Sequence, residues 1–160
     1  MAWITPTVAQ FQAKFARDFN YAPASDPDNL SFITSNDINQ ALSDALQNFS
    51  PCTYGIGQNA VNPNPNGLDN ATNVFLYLAA FYLVLNLQNS AKGLSSQANF
   101  PVNSKSVGGV SISFTIPERY AKSPILSVYT QNGYGMKYLS LALPYLVGNV
   151  GLARGTTRMD

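Results

Sequence analysis

The chain contains no histidine, which removes the usual proton shuttle, the commonest metal ligand and every Ser-His-Asp or Cys-His nucleophile arrangement. Its one cysteine, Cys52, can neither close an intramolecular disulfide nor build a cysteine-ligated zinc or iron–sulfur site. Carboxylates are scarce too. Glu118 is the sole glutamate, and the aspartates fall at no spacing that pairs a general acid with a general base. Charged residues make up 11% of the 160, less than half the usual quarter, and no run of like charge occurs. Asn, Gln, Ser and Thr solvate the surface instead, a composition suited to a protein with much of its surface buried in an assembly. A net charge of +1 supplies no basic footprint for nucleic acid. No signal peptide is expected, because no basic, apolar and small-residue succession opens the sequence. The Asn-x-Ser/Thr sequons at Asn29, Asn48 and Asn70 therefore carry no expectation of glycosylation.

What the chain does have is Val74–Leu85, VFLYLAAFYLVL, twelve residues without charge, Gly, Pro or amide. Asn66-Gly67 is a turn signal before it, Asp69 or Asn70 can cap a helix, and Gly93 is a stop. A helix from Asp69 to Asn89 would run about 30 Å. Being apolar all round, it must be covered all round. The run falls short of the roughly 18–20 apolar residues of a membrane span, so neighbours in the chain or in other subunits are expected to cover it.

Two amphipathic helices precede it. Thr7-Val8-Ala9-Gln10 fits a capping box, and Val8, Phe11, Phe15 and Phe19 share one helical face. Asn20–Leu30 is rich in Pro and Asp and reads as a loop. Thr34 or Ser35 can cap a second helix, with Asp37 in its first turn. Ile38, Leu42, Ala45, Leu46 and Phe49 form its buried stripe, and Pro51 its stop. Cys52–Gly67 reads as an irregular connector.

After a polar stretch at Ser90–Phe100 the period changes. Val110, Ile112, Phe114 and Ile116 alternate with hydroxyl residues, a half-buried strand. Gly108-Gly109 before it makes a β-hairpin over about 103–116 plausible. A lone hairpin is marginal in water and would need a neighbouring chain or helix over its edge. Ser123-Pro124 then opens a helix in which Ile125, Leu126 and Tyr129 pack inward. Asn132-Gly133 breaks it, Tyr134–Leu143 resumes it with Tyr138, Leu141 and Ala142 on one face, and Pro144 stops it. Tyr145–Asp160 reads as a glycine-spaced tail, disordered in an isolated subunit. Two domains of organisation follow: a helical unit over 1–143 and an extended tail over 144–160.

Several features invite a sharper reading and do not sustain it. Asp26 and Asp28 could touch a cation, but the EF-hand pattern is missing and a solvated turn fits better. Gly108-Gly109 has no downstream Gly-Lys-Ser/Thr, so these are turn glycines. Tyr120, Tyr129, Tyr134 and Tyr138 could stack bases, yet they fall on helical segments, where packing is the better account. The strand hydroxyls have no neighbouring base and are a wet face. An enzyme is not expected, nor is any cofactor or metal. One asymmetry stands out. Residues 1–91 carry two basic residues against six acidic, net −4, and residues 92–160 carry seven against two, net +5. The halves could pair within a chain or between chains.

The order TVAQFQAKF, TSNDINQALSDAL, long apolar helix, KSVGGVSISF, TQNGYGMKYLSL resembles the head-to-tail connector, or adaptor, proteins of tailed bacteriophages. The likeness covers most of residues 5–143 and is most specific at Ser106–Phe114 and in the Thr130, Tyr134-Gly135, Tyr138-Leu139 block. Two departures are the family's histidine near the middle of the apolar helix, where this chain has Ala79–Tyr82, and the composition of Cys52–Gly67. The resemblance implies a mainly α protein: a small helical bundle around the apolar helix, with a protruding β-hairpin and an extended C-terminal tail. It implies a virion protein of the neck, assembled in the host cytoplasm as a ring of about twelve copies under the portal protein. The ring would extend the DNA channel without sequence-specific binding and without a membrane, and pass the contact on to a downstream neck or tail protein. The hairpin residues Val110, Ile112, Phe114 and Ile116 would then serve the subunit interface. Tyr145, Leu146, Leu152, Arg154 and Arg158 would serve portal binding. A stopper or tail terminator is the alternative within this class; stoppers are mostly β, unlike these helical stripes. A small helical ligand-binding module, with the apolar helix as pocket wall, is the alternative outside it. A membrane-active lysis protein ranks below both.

Overall fold

Thr7 opens helix α1 (Val8–Lys14). Its hydroxyl accepts from the Gln10 N–H at 3.4 Å, and Gln10 Oε1 accepts from the Thr7 N–H at 2.9 Å, completing the expected capping box. Phe11 and Phe15 are buried. The helix ends before the stripe does. The chain continues as turns through Asp18, and Phe19 reaches the same cluster from outside the helix, its ring stacked on Tyr134 at 5.3 Å. The chain described by the computed structural model comprises residues 3–54, 70–92, 104–107, 110–113, 120 and 122–147.

Helix α2 (Ser35–Gln47) begins at Thr34. Of the two hydroxyls available, it is Thr34 that accepts from the Asp37 N–H, at 3.2 Å, while the Asp37 carboxylate accepts from the Thr34 N–H at 2.9 Å. Ile38, Ala41, Leu42 and Ala45 are its buried face, continued by Phe49 past its end. Leu46, expected in that stripe, is 46% exposed. At 100° per residue it has drifted about 80° round the helix from Ile38, and Ala41 occupies the contact instead. A short 3₁₀ turn, Pro51–Tyr54, follows and buries Tyr54. The remainder of the expected connector, 55–67, lies outside the described residues.

Helix α3 (Asn70–Lys92) has 23 residues and is about 34 Å long. From Val74 to Leu83 every side chain is buried except Tyr77 and Tyr82, which are half-buried. The cover comes from the chain itself, chiefly α2 on one side and the last helix on another. The helix is longer than its apolar run, and this corrects the expectation of a segment too short to span. By length and composition Asn70–Ser90 could cross a membrane, and 56% of an 18-residue window within it is buried in the fold.

The backbone of β1 (Ser104–Val107) pairs antiparallel with β2 (Val110–Ser113), Val107 opposite Val110 and Ser104 opposite Ser113. Ser123 caps α4 (Pro124–Val128) by accepting from the Leu126 N–H at 3.4 Å, with Pro124 in the first turn. Leu126 and Tyr129 pack inward, but Ile125 is 74% exposed, since so short a helix lays only one side on the body.

A 3₁₀ turn, Tyr129–Gln131, leads into α5 (Gly133–Val147), which buries Tyr138, Leu139 and Ala142. Pro144 lies inside α5 rather than ending it. Proline removes the N–H that the Ser140 carbonyl would accept from, so the last turn depends on tertiary contacts. Tyr145 supplies them: its hydroxyl accepts from Asn70 Nδ2 at 2.9 Å, and its ring meets Tyr54 edge-on at 5.2 Å. The expected boundary after Leu143 is therefore displaced, and Tyr145 and Leu146 belong to a helix, not to an extended tail. The fold is mainly α.

Candidate functional site: a polar groove, two lysines and a strand pair

Between α2 and the C-terminal half of α3 runs an open groove of about 340 Å³, lined by Asp37, Gln40, Asp44, Asn86, Asn89 and Ser90 over a floor of Leu83 and Leu87. Its position follows from helix periodicity. Asp37, Gln40 and Asp44 recur at three and four along α2, as do Leu83, Asn86, Leu87 and Ser90 along α3, so each set forms one edge. Asp44 is the centre. Its Oδ1 accepts from Gln40 Nε2 at 3.0 Å and its Oδ2 from Asn86 Nδ2 at 2.8 Å. Both donors are neutral amides, and a carboxylate keeps lone pairs beyond two. The groove can thus orient a cationic or hydrogen-bonding partner. Its two carboxylates are both engaged, Asp37 in the cap of α2 and Asp44 by the two amides, and no group of three metal-ligating side chains occurs among the described residues.

A second electrostatic feature lies on α1 and α5. The Lys14 ammonium donates to Asn73 Oδ1 and sits 5.2 Å from the Tyr77 ring centroid. Partial burial, and then the nearby charge of Lys137, lower its pKa. Two like charges on different helices are held close enough to interact.

The tyrosines are packed. Tyr138 and Tyr120 are buried, and Tyr129 lies between the rings of Phe81 and Tyr138, at 5.2 and 5.0 Å. Tyr134 packs on Phe15 and Phe19. Tyr82 accepts from Asn48 Nδ2 at 3.0 Å. Burial, reinforced by Tyr129, pushes its phenol up to about 12. Burial and the adjacent Tyr54 push Tyr138 well above the ordinary range. Rings so engaged offer no platform for stacking bases. Asp26 likewise belongs to a self-satisfied turn, accepting from Asn29 Nδ2 at 2.9 Å.

Of the residues expected at working surfaces, Val110 and Ile112 lie on β2, where Val110 pairs with Val107 and Ile112 with Lys105. Phe114, Ile116, Leu152, Arg154 and Arg158 lie outside the described residues. Tyr145 is half-buried against Tyr54, and Leu146 is 49% exposed at the end of α5. The groove went unread in the sequence because Asp44 and Asn86 look like ordinary outward-facing positions. Their one signal was the i, i+3, i+4 recurrence of amides and acids. Compared with protein-family models, with curated proteins and with solved structures, the chain matches none of them.

Proposed function

We propose that this protein is a structural component of the tailed-phage neck, a connector subunit that forms a ring beneath the portal and extends the DNA channel. The reading rests first on the order of its motifs. The observation that supports it most directly is the strand pair. Among the described residues β1 and β2 form a two-stranded sheet, and neither has a second partner strand among them. Two strands alone are marginal in water, and an edge of this kind is suited to pairing with a neighbouring chain. On this reading the pair is a hairpin that protrudes from a helical bundle, and Val110, Ile112, Phe114 and Ile116 serve the contact between about twelve copies.

The partners are the portal protein above, the next neck or tail protein below, and DNA that passes without sequence readout. The portal contact falls to the segment after α5, with Leu152, Arg154 and Arg158, and to Leu146 at the helix end. Tyr145 has a structural duty against Tyr54 and Asn70. The protein resides in the neck of the virion and needs no cofactor.

Mixing the purified chain with portal protein and imaging by electron microscopy tests this. Rings on the portal are expected, and particles that never form rings under any portal condition reject the reading. Removing residues 148–160, which leaves Tyr145 in place, is expected to abolish portal attachment. For the rival ligand-binding module, α3 would have to line a pocket. Most of its apolar stretch is instead packed with side chains of the same chain, only Leu83 of it reaching the groove, and a small-molecule shift in melting temperature is the result that would favour that rival.

A further inference from the structure

Lys14 and Lys137 are placed where the acids of the groove cannot reach them. Lys14 is held at Asn73 and Tyr77, near the start of α3, and the groove edge is formed by Asn86 and Ser90 near its end. Each pair of positions is thirteen residues apart in sequence. On a helix that separates the two features by about 20 Å along the axis and about 140° around it. Lys14 and Lys137 form no ion pair with any described residue, and the polar partners of Asp44 are neutral amides. Asp18, on the same part of the chain as Lys14, lies against the Tyr134 hydroxyl. Lys137 lies one turn along α5 from Tyr134, whose ring packs on Phe15 next to Lys14, so each subunit carries two lysines on one side and an anionic groove on another.

We propose that the Lys14–Lys137 face of one copy docks on the Asp37–Asp44 groove of the next, joining copies head to tail. Complementary surfaces on different sides of a subunit generate a heterologous contact, the kind that closes into a ring rather than a two-fold dimer. The groove has the chemistry to receive lysine: carboxylates and amides at the rim for the ammonium, and Leu83 and Leu87 beneath for the aliphatic stem. The inference rests on the ring reading and adds the surfaces that make the ring.

The test is charge reversal in the full chain, scored by rings on the portal under the electron microscope. Lys137 is exposed, so Lys137→Glu leaves the fold intact; circular dichroism checks this. Gln40→Lys puts positive charge on the groove rim while keeping both Asp44 and the Asp37 cap. Each single variant is expected to lower ring yield by about tenfold or more. The double variant Gln40→Lys/Lys137→Glu is expected to recover most of it. Wild-type rings are expected to weaken as salt rises. Unchanged ring yield in both single variants overturns this proposal and leaves the ring reading standing. So does a double variant no better than the singles. Wild-type protein that forms no rings rejects both.

Discussion

The side-chain amide of Asn132 donates to the main-chain carbonyl of Phe81 at 3.3 Å, while its oxygen accepts from the Gly135 N–H at 3.0 Å. One residue thereby caps α5 and ties its first turn to the middle of α3. The Asn132-Gly133 step, legible in the sequence only as a break, is the joint at which the last helix is fixed to the central one. Asn132→Ala removes both bonds, leaves an uncapped helix end, and is expected to cost about 1–2 kcal/mol in denaturant melts.

Two glycines two residues apart behave oppositely at that joint. A Cβ at Gly135 would lie 2.1 Å from the Tyr129 carbonyl oxygen and 2.7 Å from the Phe81 ring. Backbone cannot yield as a side-chain tip can, so Gly135→Ala is expected to cost about 3 kcal/mol, at the top of the overpacking range. A Cβ at Gly133 meets nothing within 4 Å. Gly133→Ala is expected to be neutral or to stabilise by up to about 1 kcal/mol, because alanine is the better helix former. Thermal unfolding of the two variants side by side decides it, and equal effects would contradict the close approach.

At the start of α2, Thr34 is 6% exposed and makes three hydrogen bonds with Asp37. Thr34→Ala is expected to cost about 1–2 kcal/mol, and Thr34→Ser much less, since serine restores the acceptor. A serine variant as damaged as the alanine one would show that the methyl group, not the cap, matters.

High pH should unfold this protein in a characteristic window. Tyr82 and Tyr21 have phenols raised from 10.0 to about 12, both chiefly by burial. A raised tyrosine pKa means the unfolded chain releases its proton first. Stability is then fully present below about pH 10 and is lost as pH rises toward 12. None of the nine tyrosines is exposed, and absorbance titration is expected to show a phenol ionisation step coincident with loss of helical circular dichroism. Tyr82→Phe should shift that transition upward.

Replacing Ile112 and Phe114 with Asp is expected to block ring assembly while leaving the helical spectrum nearly intact. Loss of the monomer fold in that variant would place the strand in the core.

Much of the helical framework was legible because it rests on local chemistry. Thr7 with Gln10, Thr34 with Asp37 and Ser123 with Pro124 announce helix starts by hydrogen-bonding logic that needs no tertiary information. The misreadings share a different cause. Leu46 and Ile125 look buried in the sequence because they are apolar and near a stripe, but only the packing partner decides how wide the stripe is. Pro144 looks like a stop because its missing N–H is a local fact, while the contacts of Tyr145 with Asn70 and Tyr54 join residues 75 and 91 positions apart. The groove required α2 and α3 to lie side by side before Asp44 and Asn86 could be seen as a pair.

The loop between Tyr21 and Ile33 closes on itself. The Ala22 N–H donates to the Ile33 carbonyl at 3.0 Å and the Ile33 N–H to the Asn20 carbonyl at 2.9 Å, while Leu30 within it is 92% exposed. Its ends are thus held one strand spacing apart whatever lies between them. Residues 23–31 are a natural cassette. An epitope or a fluorescent-dye cysteine inserted there would ride on the subunit without entering its core, and would mark each copy for counting in an assembled particle.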